Sequence, residues 1–147
     1  RSAIDERADV ATFTSKPFSE DLLIEGTPEI LIKAKADTKG FDLFISLSII
    51  FKNDSKVHQL STGVLRIRGD EAQNNLERRI SLQPLQALFT ESSRMRLSIS
   101  GSAWPAIAIN PGTNDHPCSS SSAFCSITTI SIDLTQSKLI INPIFHK

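Results

Sequence analysis

The run from Phe41 to Phe51, F-D-L-F-I-S-L-S-I-I-F, constrains the fold of this chain more than any other segment. Phe41, Leu43, Ile45, Leu47, Ile49 and Phe51 fall on one side, and Asp42, Ser46 and Ser48 fall on the other. A period of two is what a β-strand requires, and the β-branched and aromatic content favours strand over helix. Lys52-Asn53-Asp54-Ser55 then ends the strand in a turn, because Asn and Asp side chains bond their own backbone and tolerate left-handed angles.

The same pattern recurs along the chain. Glu29 to Ala36 alternates Ile30, Ile32 and Ala34 against Lys33 and Lys35. Thr62 to Arg68 predicts a strand with Leu65 and Ile67 inward and Arg66 and Arg68 outward, and Arg78 to Leu82 a shorter one. Pro84 to Glu91 is expected to form a single helical turn, and Gly69 to Asn75 a polar loop. From Arg94 to Ser100, Met95, Leu97 and Ile99 alternate with arginine and serine; Gly101, Trp104-Pro105 and Asn110-Pro111-Gly112 then turn the chain. Ser126 to Leu134 and Lys138 to Ile144 supply two last strands, with Thr135-Gln136-Ser137 as the turn between them. His116 to Ala123 is a serine-rich loop. The sum is seven to nine strands by this pattern, no long amphipathic helix, and therefore an all-β sandwich or jelly roll of antiparallel sheets. Residues 1–12 are expected to be an N-terminal tail or linker, Arg1 to Ala11 forming a helical turn or a loose tail, and 13–147 a single domain.

The chain has 147 residues, enough for one domain burying roughly 68% of its unfolded surface. Sixteen basic residues balance sixteen acidic ones. That balance argues against a nucleic-acid partner, whose affinity rests on phosphate neutralisation, and against an anionic membrane surface. No apolar run approaches the ~18 residues that span a bilayer. The opening Arg1-Ser2, without Met, fits a piece of a longer polypeptide. Cys118 and Cys125 are the two cysteines; a local disulfide between them is geometrically open, and two free thiols in a cytoplasmic protein is the simpler expectation.

No catalytic constellation emerges. Nucleophilic hydrolysis needs a Ser or Cys beside an oriented base, and no G-x-S-x-G elbow occurs. His116, Cys118 and Cys125 have a spacing that fits none of the common zinc patterns. No phosphate-cradling glycine loop exists, so neither metal nor cofactor is expected. Trp104 is the lone Trp and Tyr is absent. An indole in such a place is usually buried at a sheet edge. Arg66, Arg68, Arg94 and Arg96 are solvated, paired with acids on neighbouring strands, or part of a docking surface for another domain.

Six segments in order resemble the C-terminal domain of X-Pro dipeptidyl-peptidases and cocaine-esterase-like (CocE/NonD) serine hydrolases. They are T-S-K-P-F-S-E-D-L-L-I-E-G-T-P-E-I from Thr14, F-D-L-F-I-S-L from Phe41, T-G-V-L-R-I-R from Thr62, R-M-R-L-S-I-S-G-S-A-W-P from Arg94, N-P-G-T from Asn110 and S-K-L-I-I-N-P-I from Ser137. Departures include Ser92-Ser93, where the family often has Gly-His, and a serine-rich stretch that looks like an insertion. The resemblance implies a jelly-roll β-sandwich, galactose-binding-domain-like, that packs on an α/β-hydrolase domain of the same parent chain, shapes substrate access and makes oligomer contacts. It implies no catalytic residue in this sequence. Trp104 and Pro105, with Arg66 and Arg68, are the residues expected at the domain interface. Carbohydrate binding and structural adhesion are the alternative functions of such a sandwich.

Overall fold

The computed structural model describes residues 1–116 and 125–144. After a single helical turn, α1 (Ser2–Asp5), come β1 (Val10–Thr14), β2 (Leu22–Gly26), β3 (Glu29–Ala36), β4 (Gly40–Ile50) and β5 (His58–Arg68). A 3-10 turn over Asp70–Gln73 leads to β6 (Leu76–Ser81), β7 (Leu85–Phe89), β8 (Arg94–Ser100), β9 (Ile130–Ile140) and β10 (Pro143–Ile144). One sheet has the order β1-β8-β4-β5; the others run β6-β3-β9 and β10-β2-β7. Every pairing is antiparallel. The protein is an all-β sandwich.

The core forms where the alternating residues meet. Phe41, Leu43, Ile45, Leu47 and Ile49 of β4 are buried, as are Ile30, Ile32 and Ala34 of β3. Ile24 of β2 and Phe89 of β7 join the same cluster, which therefore draws on all three sheets. Burying a side chain of this size stabilises the fold by roughly 1.5–3 kcal/mol relative to leaving it exposed. β4 is the centre of this arrangement, because β8 and β5 flank it on both edges.

The polar side of β4 is buried too. Asp42, Ser46 and Ser48 are as inaccessible as the core. The α1 turn supplies part of the cover: Arg1 lies over the Phe44 ring at 5.7 Å, and Asp5 contacts Arg1 at 3.0 Å and Arg96 at 3.6 Å. The Val57 backbone N–H donates to Ser2 Oγ. Residues 1–12, read from the sequence as a tail, thus contribute a turn packed on the sheet and the start of a strand. β1 begins at Val10 and pairs with Ser100 of β8, so the boundary drawn at Phe13 falls inside a strand.

Two further elements differ from their sequence expectation. Pro84 to Glu91 holds no helical turn: Leu85–Phe89 is a strand hydrogen-bonded to β2, and its Phe89 enters the core. Pairing with β2 overrides the local propensity. The final strands are also organised otherwise. Thr135-Gln136-Ser137 is not a turn between two strands but part of a bulge within β9, where residues 134–137 stand opposite the single Ile32. Lys33 N–H donates to Ser137 Oγ, and Ser137 donates to the Asp133 carbonyl. The Thr135 hydroxyl and backbone N–H both donate to the Asp133 carboxylate, and the hydroxyl bond foremost holds that carboxyl below its usual pKa. A bulge of this kind bends an edge strand without ending it.

Gly63 marks the tightest approach in the sheet packing. A Cβ there would lie 2.6 Å from Leu82 Cδ2 and 2.8 Å from the Ser81 carbonyl oxygen. Gly63→Ala should therefore destabilise the fold by roughly 1–3 kcal/mol, read as a fall in the thermal unfolding midpoint; an unchanged midpoint would contradict this packing.

Candidate docking surface

The loop that leaves β8 carries the sequence's most conspicuous residues, and one ion pair fixes it. Asp42 opens β4, and Arg66 stands directly across from it on β5. Arg66 Nε donates to Asp42 Oδ1 at 2.8 Å and its terminal nitrogen to Oδ2 at 2.6 Å, the two-pronged geometry that a guanidinium and a carboxylate favour. Asn110 Nδ2 donates to the same Oδ1 at 2.9 Å. Arg66 also donates to the Ala108 carbonyl. Both the strand pair and the loop are therefore tied to a single buried carboxylate.

Glycine makes this approach feasible. A Cβ at Gly40 would lie 2.6 Å from the Thr113 carbonyl oxygen and 2.8 Å from Asn110 Oδ1. Gly112 adopts φ of 76°, a left-handed value that a side chain disfavours, and its N–H donates to Asn110 Oδ1. The N-P-G-T motif is thus a clasp: Asn110 reads Asp42, and Gly112 turns the chain back.

With its base clamped, the loop presents apolar groups to solvent. Trp104 is 69% exposed and Ile109 is also largely exposed. The indole is therefore not buried at a sheet edge, as its type suggested, but open to solvent on the loop. Pro105 is exposed next to it, and the Trp104–Pro105 peptide bond is cis. Val64 of β5, two residues before Arg66 on the same strand face, is exposed as well. Arg68 is exposed and lines an open recess of about 540 Å³ with Arg66, Glu71 and Arg78.

Of the four residues expected at an interface, the structure keeps Trp104 and Pro105 together on one loop, with Arg66 beneath it as an internal anchor. Arg68 sits apart in the recess. Sequence inspection overlooked Asp42 and Asn110. The signal for Asp42 was present: an acid in an apolar strand becomes the partner of Arg66 once the β4–β5 register is drawn.

Among the described residues no group of three His, Cys, Asp or Glu side chains could hold a metal ion. Cys125 is exposed, while Cys118, the other half of the disulfide question, lies outside the described residues, as does most of the serine-rich loop. Among the described residues no helix is long and apolar enough to cross a membrane.

The antiparallel pairings and the shared core define the class: an all-β sandwich domain. The comparisons with known proteins narrow it. The family model for the X-Pro dipeptidyl-peptidase C-terminal non-catalytic domain matches residues 1–139, and the chain belongs to that family. No curated protein matches it in sequence. Among solved structures, an aminopeptidase from a marine sediment archaeon of the Thaumarchaeota superposes with a TM-score of 0.87 at 18% identity, over 97% of this chain and 27% of that one. An α-amino acid ester hydrolase gives 0.79 at 18% identity, over 96% and 26%. A CocE/NonD family hydrolase from Staphylococcus aureus gives 0.65 at 16% identity, over 92% and 30%. At these identities the likeness establishes the fold. The chain spans between a quarter and a third of the length of these proteins.

Removing the carboxylate should expose how much depends on it. Asp42→Ala removes the two-pronged acceptor of Arg66 and the acceptor of Asn110 and should cost roughly 1.5–3 kcal/mol, read as a lower urea midpoint. The double variant Asp42→Leu with Arg66→Met should recover most of that loss. An Asp42→Ala protein as stable as the parent would show that the pair anchors nothing.

Proposed function

We propose that this domain is a non-catalytic wall of a serine hydrolase acting on X-Pro peptides or acyl esters, packed on the α/β-hydrolase domain of the same polypeptide. The observation that carries the proposal is the exposed Trp104 on a loop that the Asp42–Arg66 pair holds in place. A large exposed indole is unfavourable in water and well suited to an interface, where Trp is enriched among the residues that carry the binding energy. Family membership supplies the partner: a non-catalytic domain accompanies a catalytic one. Its work is then mechanical. It excludes water from one side of the active-site cleft and limits which substrates enter, while the nucleophile, base and oxyanion hole reside elsewhere in the polypeptide.

A chain with only two cysteines is not a disulfide-framed scaffold, which supports a reducing compartment, the cytoplasm. The exposed indole also supports a second reading, a carbohydrate-binding module with Trp104 as its stacking platform. Saturable calorimetric binding of a sugar, abolished by Trp104→Ala, would favour that reading over the first.

The direct test is an assay of this 147-residue chain and of the full-length polypeptide on an X-Pro chromogenic amide and a simple ester. The chain alone should show no turnover, and the full polypeptide should be active. Trp104→Ala in the full polypeptide should weaken the domain contact by about 2 kcal/mol, read as inactivation at a lower temperature. Turnover by the purified chain alone that a serine-directed inhibitor abolishes would overturn the proposal.

A further inference from the structure

One side of the sandwich is left open. β1 is an edge strand bonded only to β8, and β9 is an edge strand bonded only to β3. Their core-facing residues look toward each other across a gap that no strand among the described residues closes. Ala11 and Phe13 of β1 pair with Ile99 and Leu97, which belong to or pack against the core, so both point inward. Yet Ala11 is exposed and Phe13 is 37% exposed. On the other edge, Ile132 pairs with the buried Ala34 and is only half-buried. Leu134, at the start of the bulge, is 58% exposed.

The gap is a continuous groove. Two recesses of about 580 Å³ and 210 Å³ share Ile99 and Ile132 as wall residues. The larger is backed by Leu43, and the smaller by Ile30 and Ile32, all of them core side chains. The groove therefore reaches the hydrophobic core itself. Exposed side chains that continue the core are the kind of surface an interaction partner covers.

The two edges are guarded unequally. The β9 edge carries its bulge, a device that discourages strand addition. The β1 edge, V-A-T-F-T, has neither Lys nor Pro nor bulge, which leaves its backbone groups ready to pair unless something covers them.

We infer that this open side, between β1 and β9, is the face on which the catalytic domain of the same polypeptide seats, with an apolar segment of that domain lying against Phe13, Ile132 and Leu134. The inference rests on the proposed packing function and names its surface. Two observations select this occupant. The larger recess is lined by Gly101 and Ser102, two residues before Trp104, so the groove runs into the loop already assigned to the domain contact. The similar structures also carry about three-quarters of their length outside the matched region, which provides the mass to cover it.

The test uses the full-length polypeptide, with a photo-crosslinking benzoylphenylalanine placed singly at Leu134, at Trp104 and at Leu88. Leu88, on the distant β7 strand, is 48% exposed, close to Leu134, and is the internal control. The inference expects Leu134 to crosslink to peptides of the catalytic domain with at least about tenfold the yield of Leu88, since contact distance decides capture at a close-packed interface. Capture at Leu134 only by a second copy, only by this domain's own residues, or at the Leu88 yield overturns it. If Trp104 still captures the catalytic domain in that case, the packing function stands and only the groove assignment fails. If neither position captures it, both fail.

Discussion

The loop that follows β8 is tied to the sheet chiefly through one carboxylate. Asp42 sits at the beginning of the central strand, is almost wholly buried, and accepts hydrogen bonds from Arg66 and Asn110 at once. A buried carboxylate carries a large desolvation cost that only close partners offset, so the partners cannot wander. Arg66 is thereby fixed on β5, and through its bond to the Ala108 carbonyl it fixes the far end of the loop that bears Trp104. The pair converts a flexible connection into a positioned surface.

That dependence changes how the arginines should be understood. Arg66 is not a free charge; it is the post on which the loop bearing Trp104 is mounted. A similar economy operates on the same sheet at α1, where Arg1 and Asp5 cover the polar side of β4 and engage Arg96. The four-stranded sheet consequently buries both of its faces near β4 and β8, while its β1 edge stays open. Polar residues on the outer side of a strand do not by themselves mean solvent.

Much of the fold was legible in the sequence because its strongest strands obey the period of two. β3 and β4 sit within a residue of their expected ends, since their apolar faces are long and unbroken. β7 escaped because a short segment after Pro84 shows little alternation, and only its pairing with β2 makes it a strand. β9 was split because its bulge, stabilised by Asp133 and Ser137, is spelled with turn residues. β1 was missed because V-A-T-F-T is nearly featureless alone and is specified by its neighbour β8. Of the exposed loop, the turn at Trp104-Pro105 and Asn110-Pro111-Gly112 was legible by residue type, but the role of Asp42 was not, since its partner lies on another strand and depends on register. The open groove is a property of strand order and leaves no local trace.

On the proposed reading the domain contributes surface: a clamped loop at one end and an unclosed side along the sandwich. The claim stands or falls on whether Trp104 is covered in the intact polypeptide. Hydroxyl-radical footprinting of the full-length chain, native against urea-unfolded, measures this at the indole itself. The account predicts that Trp104 is oxidised far more slowly in the native polypeptide than in the unfolded one. Near-equal rates, as expected for an indole that stays 69% exposed, would contradict it.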